Sequence, residues 1–192
     1  MVVYAKDKPN QLREHEKIMK TIIYLITLIP VAFSLAGCPK KVEISSESTD
    51  PCSGRKKIVL IKLEREKLYL CKNGLTVKEY NVALGKGGYG KTKMDDNKTP
   101  IGTYELLKPR ESEQEFHTFI GIDYPTPEQR AKGYSGAAIG IHGPHEKFIW
   151  ARGANTWFNW TRGCVAVKSN KDIDDISSWV KTEKVNTVTL EL

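Results

Sequence analysis

The sequence of 192 residues is short of several features that would narrow its function at once. It has only four cysteines, and none of them stands in the short paired spacing of structural zinc sites. It has no basic stripe interleaved with stacking aromatic residues, so nucleic acid is not expected as a partner even though the net charge is +7. No internal repeat is visible. The length suits one ordinary domain with a tail rather than two complete domains.

The amino-terminal region contains an almost wholly apolar run at residues 21–36. The run follows a basic stretch, is shorter than the roughly 20 residues that a spanning helix needs, and closes with Leu-Ala-Gly-Cys at residues 35–38. It resembles a bacterial lipoprotein signal peptide; the alternative is a chance Gly-Cys after a plain export signal. The resemblance implies that residues 1–37 are removed and that Cys38 is lipidated, which anchors the protein to a membrane of the cell envelope, in the periplasm or another extracytoplasmic space. The leader is unusually long, and Met19 is an alternative start.

The stretch after this leader has the composition of a tether. Residues 39–54 are rich in Lys, Glu, Ser, Thr, Asp and Pro and almost lack large apolar side chains. We therefore assign residues 38–55 to a lipidated tether and residues 56–192 to the folded domain. Because disulfides persist in oxidising compartments, Cys52 and Cys71 are candidates for a pair. The sequence does not show whether their Cβ atoms lie within the required distance of about 4.5 Å.

Short β-branched and alternating segments separated by turn residues predict a domain built mainly of strands. We expect strands at residues 57–62, 67–71, 75–84, 102–107, 118–122, 137–142 and 185–192. Asn73-Gly74 predicts a tight turn before the third strand. One helix is expected at residues 169–181, with Ser169 or Asn170 as its N-cap. The pattern favours a mainly β fold, either a sandwich or a barrel-like sheet, with one or two short helices.

A glycine-rich loop at residues 85–92 satisfies the glycine spacings of phosphate-binding and dinucleotide-binding loops. Such loops need a following helix whose first amides hold the phosphates. Residues 93–100 are instead polar, rich in turn residues and closed by proline, which does not favour a helix. We therefore expect a glycine loop beside a site, with no nucleotide and no other cofactor.

Cys164 follows a glycine at the start of a β-branched segment, where a substrate carbonyl has room to approach the thiol. It is a candidate nucleophile, and the alternative is a small buried apolar residue. His142 ends an apolar segment and is the candidate base, with His145 and His117 as alternatives. A neighbouring imidazolium would lower the pKa of the thiol by favouring the thiolate. The spacing of these residues does not favour a metal site.

Three motifs occur in a fixed order along the chain. They are Thr-Pro-Ile-Gly-Thr-Tyr at residues 99–104, Ile-His-Gly at 141–143 and Thr-Arg-Gly-Cys-Val at 161–165. Together they resemble the L,D-transpeptidase catalytic domain, the YkuD family of bacterial cell-wall enzymes. The resemblance implies a mainly β domain over roughly residues 57–192, with Cys164 as nucleophile and His142 as its partner. It implies acyl transfer from a tetrapeptide stem of peptidoglycan to an acceptor amine.

Two positions depart from the pattern of this family. Arg162 stands where many members have histidine, and Ala166 stands where arginine is frequent. The first change is harmless if a backbone carbonyl orients the catalytic imidazole, as the family implies. The second removes a charge that would help to hold substrate, and Arg162, Arg152 or Lys168 would have to compensate.

The remaining assignments concern the surroundings of the thiol. The amides of Gly163 and Cys164 are the candidates for an oxyanion hole. Groups expected to bind the oxyanion or orient the reacting groups are Gly163, Arg162, Thr161 and Gly143. Substrate contacts are expected from Arg152, Trp160, Tyr89 and Thr99. Two alternative functions stay open: an L,D-carboxypeptidase or related hydrolase of the same fold, acting on stem peptides or wall-linked protein, and a wall-binding lipoprotein without catalysis.

Overall fold

The computed structural model describes residues 50–112, 116–151 and 153–192. The leader, Cys38 and most of the tether therefore lie outside the described residues, and so does Arg152. Within the described part of the chain, no helix is long and apolar enough to cross a membrane.

Short strands dominate the described residues. The strands are β1 (Lys57–Lys62), β2 (Lys67–Lys72), β3 (Leu75–Ala83), β4 (Gly102–Glu105), β5 (Arg110–Glu111), β6 (Thr118–Gly121), β7 (Gly140–His142), β8 (Val165–Val167) and β9 (Thr187–Glu191). The helices are α1 (Pro127–Ala131) and α2 (Asn170–Glu183), with 3-10 helices at Glu146–Ala151 and Ala154–Thr156. The mainly β expectation with short helices is confirmed. The sequence did not predict β5, α1 or the 3-10 helices, because each is too short to show a periodic pattern.

The strands form one sheet in the order β4-β9-β1-β2-β3-β8-β7-β6-β5. β1 runs parallel to β9 and β7 runs parallel to β8, whereas the other neighbours are antiparallel. The two ends of the sheet approach each other, because Leu106 beyond β4 bridges to Ile122 beyond β6. The Leu107 amide also donates to the Gly121 carbonyl at 2.8 Å. The sheet is therefore curled into a half-barrel, which confirms the barrel-like form of the expectation.

The β2–β3 hairpin and α2 show how local sequence sets this frame. Asn73 and Gly74 have φ values of +54° and +80°, the left-handed conformations that a two-residue type I′ turn requires. Ser169 caps α2, since its side chain accepts a hydrogen bond from the Asp172 amide at 3.2 Å. One apolar face of α2 then packs into the core of the half-barrel through Ile173 and neighbouring residues.

A smaller cluster lies on the other face of the central strands. It consists of Cys52, Leu60, Tyr69 and Cys71, all buried. A disulfide joins Cys52 to Cys71, with their Cα atoms 5.3 Å apart. The Asp50 carboxylate accepts hydrogen bonds from the Cys52 amide at 2.8 Å and from the Thr76 hydroxyl at 2.6 Å. Asp50 and Cys52, which lie in the stretch assigned to the tether from its polar composition, are therefore already held against β2 and β3.

Candidate active site

The parallel pairing of β7 with β8 brings the two candidate catalytic residues to one place. His142 is level with Ala166, and Ile141 is level with Val165. Residues two apart in a strand face the same side. Cys164 directly precedes β8 and therefore presents its side chain on the same side of the sheet as His142. Two residues far apart in the sequence become neighbours through strand pairing alone.

Both side chains line one cavity of about 450 Å³. Its walls are formed by Phe116, Ala137, Ala138, Ile139, His142, His145, Trp160, Thr161, Arg162 and Cys164. Cys164 is partly exposed, so the thiol is reachable from the cavity. Half of the lining residues are apolar and half carry a polar or titratable group, so the cavity combines apolar walls with convergent polar groups, as ligand pockets do.

The imidazole of His142 is held in one orientation. The residue is only 2% exposed, and its ring stacks on Phe116 with centroids 4.2 Å apart. Nδ1 lies 2.6 Å from the Gly143 carbonyl oxygen. A carbonyl can only accept, so Nδ1 carries the proton and Nε2 of the neutral ring keeps a free lone pair. Nε2 is therefore the nitrogen that can take a proton from a thiol.

The resting imidazole is neutral at physiological pH. Burial lowers the pKa of His142 to about 4, because the charged ring loses hydration. The hydrogen bond to Gly143 acts in the opposite direction, and the nearby His145 adds to the lowering.

The resting thiol is also neutral. Burial of the sulfur raises the pKa of Cys164 to about 11, although the Gly140 amide and the charge of Lys91 both favour the thiolate. The thiol lies 3.4 Å from the Ala138 carbonyl oxygen, to which it donates. Loss of hydration thus disfavours both charged forms of this pair, in the opposite direction to the acidified thiol that the sequence led us to expect.

Thr161 holds the turn that presents Cys164. Its buried hydroxyl donates to the Cys164 carbonyl at 2.7 Å and accepts from the Gly163 amide at 3.1 Å. Because the Gly163 amide is used inside the turn, the Cys164 amide is the better placed of the two oxyanion candidates. Gly163 has φ of +128°, and a Cβ there would lie 2.6 Å from the Lys98 carbonyl oxygen. Only glycine fits this position.

The glycine loop supports this turn instead of forming a phosphate site. The Lys86 amide donates to the Thr161 carbonyl at 2.9 Å. The hydroxyl of Thr99 accepts from the Gly85 amide at 2.9 Å, and a Cβ at Gly85 would overlap the Asn97 carbonyl. Residues 91–100 form turns and no helix, so the amides that a phosphate needs are not arranged here.

Lys91 lies near the site and acts on the Cys164 thiol through its charge. The glycine pattern of residues 85–92 does not indicate this role. The Lys91 side chain is buried, with Nζ 2.7 Å from an Asp96 carboxylate oxygen and 2.9 Å from the Lys93 carbonyl. Asp96 also accepts from the amides of Thr92 and Lys98. Burial opposes ionisation of Asp96, but these hydrogen bonds hold its pKa well below the usual range. The buried Lys91–Asp96 pair therefore fixes the glycine loop, which in turn supports the turn at residues 161–163.

Some of the other assigned residues line the cavity and some do not. Trp160, Thr161 and Arg162 line it, and Arg162 is exposed. Tyr89 and Thr99 are not among its lining residues. Thr99 is fully buried under the glycine loop, so its hydrogen bonds support a structural role and not the expected substrate contact.

The two alternative bases and Ala166, which departs from the family pattern, lie in different surroundings. His145 lines the cavity, whereas His117 is exposed and lies 3.0 Å from Asp174. Ala166 is completely buried in β8. Among the described residues, no group of three or more His, Cys, Asp or Glu side chains is arranged to hold a metal ion.

The comparisons with known proteins agree with this geometry. A family profile described as the L,D-transpeptidase catalytic domain, YkuD, matches residues 56–188. A solved structure of the helical cell shape determining protein Pgp2 from Campylobacter jejuni is 26% identical with a TM-score of 0.57, covering 71% of this chain and 47% of that one. Bd1075 from Bdellovibrio bacteriovorus shares the fold at 22% identity and a TM-score of 0.51, covering 70% of this chain and 47% of that one.

No curated protein matched the sequence. The chain spans about half the length of the solved structures described above. The match of the family profile nevertheless covers most of the chain and includes both His142 and Cys164. The chain therefore belongs to the YkuD family of L,D-transpeptidase catalytic domains.

Proposed function

We propose that this chain is a cysteine-dependent L,D-transpeptidase that acts on the stem peptides of peptidoglycan. The observation that carries the proposal is the joint placement of Cys164 and His142 on one cavity, with Nδ1 of His142 held by the Gly143 carbonyl. This arrangement supplies a nucleophile and a base whose lone pair is free.

Acylation begins from a neutral thiol and a neutral imidazole. Nε2 of His142 takes the proton of the Cys164 thiol while the sulfur attacks the carbonyl carbon of the third residue of a tetrapeptide stem. The Cys164 amide donates to the oxyanion that forms. Collapse of this intermediate breaks the bond to the terminal D-alanine, whose amine leaves with the proton from the imidazolium. The product is a thioester on Cys164.

Deacylation reverses these roles. The amine of a neighbouring stem attacks the thioester carbon, and Nε2 of His142 accepts one of its protons. The C–S bond breaks, a new amide crosslinks the two stems, and the proton returns to the sulfur. Both half-reactions need the base to be neutral at their start, which fits the low pKa of His142.

Arg162 is our candidate for substrate orientation. It is exposed and lines the same cavity as the thiol. A guanidinium there would pair with a carboxylate of the stem peptide. This supplies the charge that the family pattern places at the buried position of Ala166. We further propose that the protein acts outside the cytoplasm, held at a membrane by lipid on Cys38.

The test uses the full chain and purified sacculi rich in tetrapeptide stems, with products identified by mass spectrometry of muropeptides. Cys164→Ala should abolish crosslinking, and His142→Gln should slow it by about 10²–10⁴-fold, the usual contribution of a general base. His117→Gln is the matched control and should keep wild-type activity, because His117 is exposed, contacts Asp174 and is not among the residues that line the cavity. Full crosslinking by Cys164→Ala would refute the proposal.

The acceptor is decided in the same assay. The assay is performed in H₂¹⁸O. Transfer to an amine then gives crosslinked products without label, whereas hydrolysis of the thioester gives tripeptide stems that carry ¹⁸O. Labelled tripeptide as the main product would assign the chain as an L,D-carboxypeptidase. Failure of Cys164 to form any acyl-enzyme with a carbapenem would favour a wall-binding protein without catalysis.

A further inference from the structure

Four large apolar side chains are exposed on the segment between the two catalytic residues. We call them the aromatic rim: Ile149, Trp150, Trp157 and Phe158. Trp150 is 79% exposed and Trp157 is 84% exposed. Single exposed apolar residues are ordinary, but a group of large ones on one segment marks an interaction surface.

The rim is ordered by contacts beneath it. Phe148 of the first 3-10 helix packs against Phe158, which follows the second 3-10 helix, with ring centroids 6.3 Å apart. The indole N–H of Trp160 donates to the Asn155 carbonyl at 2.9 Å, and the Asn155 side chain donates to the Val167 carbonyl at 3.0 Å. The segment is therefore tied to β8, and its outer rings are presented on a supported surface.

The rim is continuous with the active-site cavity. From His142 the next ring is Trp160 at 5.8 Å, then Phe148 at a further 5.3 Å, then Phe158. The cavity wall thus passes into the rim through successive ring contacts. The rim therefore begins, at Phe158, three ring contacts away from His142.

The length of the stem peptide indicates what reaches the rim. On the proposed function, the carbonyl of the third stem residue lies at Cys164. Three peptide units and the lactyl group then separate this carbonyl from the sugar, a span of about 14 Å at roughly 3.5 Å per unit. The three successive ring contacts from His142 through Trp160 and Phe148 end at Phe158 of the rim and cover a distance of the same order.

The chemistry of the rim suits a sugar ring. The face of an aromatic ring carries partial negative charge and attracts the C–H groups that cover one face of a pyranose. Trp offers the largest such face. Insertion of the rim into a lipid bilayer, the main alternative for exposed Trp, would press the continuous cavity against the membrane and close it to a polymer. The position of the rim therefore favours glycan over lipid.

We propose that the aromatic rim binds the glycan strand of peptidoglycan by stacking its sugar rings, next to the cavity that receives the stem peptide. The placement of the strand rests on the proposed function, but stacking on sugar does not require catalysis.

The first experiment measures binding alone. The full chain carrying Cys164→Ala is titrated with soluble glycan strands from which an amidase has removed the stems. Adding Trp150→Ala and Trp157→Ala together should weaken binding at least tenfold, whereas Trp157→Tyr should keep most of it. Leu75→Ala, at another exposed apolar residue far from the site in sequence, is the matched control. All variants should keep the wild-type melting temperature, since these side chains are exposed.

The second experiment compares two substrates of the catalytically intact chain. The double Trp variant should raise the ratio of KM for a disaccharide-tetrapeptide to KM for the free tetrapeptide at least fivefold. Equal binding of stem-free strands by the double variant and its parent would overturn the inference. Two other results would also overturn it if the chain does not bind strands. One is binding to phosphatidylglycerol–phosphatidylethanolamine vesicles that depends on the rim, and the other is self-association that depends on the rim.

The two proposals fail in different ways. If glycan strands bind equally well with and without the rim side chains while acyl transfer is intact, only the glycan surface is refuted. Rim-dependent strand binding by a chain that never forms an acyl-enzyme would refute the proposed catalysis and leave the glycan surface supported.

Discussion

The neutral state of the Cys164 thiol leads to a quantitative prediction about its reactivity. Its pKa is raised from 9.0 to about 11. At pH 8 this shift reduces the thiolate fraction about 100-fold relative to an ordinary cysteine. The more basic thiolate is about 6- to 10-fold more nucleophilic, given a Brønsted slope of about 0.4–0.5. Alkylation by iodoacetamide should therefore be about 10- to 15-fold slower than in the unfolded chain.

The assay follows alkylation of the Cys164 peptide by mass spectrometry between pH 6 and 10, in the folded and the urea-unfolded chain. Cys52 and Cys71 are protected by their disulfide and do not interfere in the folded state. The folded rate should rise about tenfold per pH unit without a plateau, since the thiolate fraction does so below the pKa. His142→Gln should change this profile by less than about twofold, because a neutral imidazole contributes no charge.

A plateau below pH 8 would refute this reasoning, and so would a large rise in the thiol pKa on His142→Gln. Either result would mean that a thiolate–imidazolium pair already exists in the resting protein. The same variant should behave differently towards a carbapenem. Acylation there requires proton transfer to His142 and should slow by about 10²–10⁴-fold.

Three further predictions concern stability. The pKa of His142 is lowered to about 4, so as pH falls the unfolded chain binds a proton near pH 6.5 and the folded chain binds it only near pH 4. The free energy of unfolding should therefore fall by about 3 kcal/mol between these two pH values. Denaturant titrations should show a shallower dependence in His142→Gln, and an unchanged dependence would contradict the assignment. Gly163→Ala should reduce the free energy of unfolding by at least about 3 kcal/mol, because the new Cβ meets the Lys98 carbonyl and the positive φ is strained for alanine. Gly88 also has a positive φ but no atom lies within 4 Å of a Cβ there, so Gly88→Ala should cost only about 1–2 kcal/mol. Replacing Cys52 and Cys71 by serine should cost about 3 kcal/mol, the loop-closure entropy expected for a separation of 19 residues, and a melting temperature unchanged in non-reducing buffer would count against the disulfide.

Local sequence was sufficient wherever the structure is decided by short-range rules. β1 occupies residues 57–62 as expected, the Asn73-Gly74 turn has the conformation that its residues favour, and Ser169 caps α2. α1 had a readable signal that was missed. Thr126 and Gln129 form a capping box with proline between them, and this signature is independent of hydrophobic periodicity.

Other features depended on contacts between distant parts of the chain. Asp50 has the composition of a tether residue, yet it is tied to Thr76 of β3. Lys91 looked like part of a loop motif, but burial beside Asp96 makes it a structural cation. Thr99 belongs to a recognisable motif, and only its burial shows that it supports the loop.

The sequence by itself determined the order of the motifs and the mainly β class, because these depend on residue type and spacing along the chain. Its motifs pointed to Cys164 and His142 through their resemblance to the YkuD family. The tertiary structure decided the chemical state of that pair. Whether the thiol and the imidazole are charged depends on which groups surround them and how much water they lose, and those surroundings come from β7, β8, the glycine loop and the segment carrying Phe116, which meet only in the folded protein.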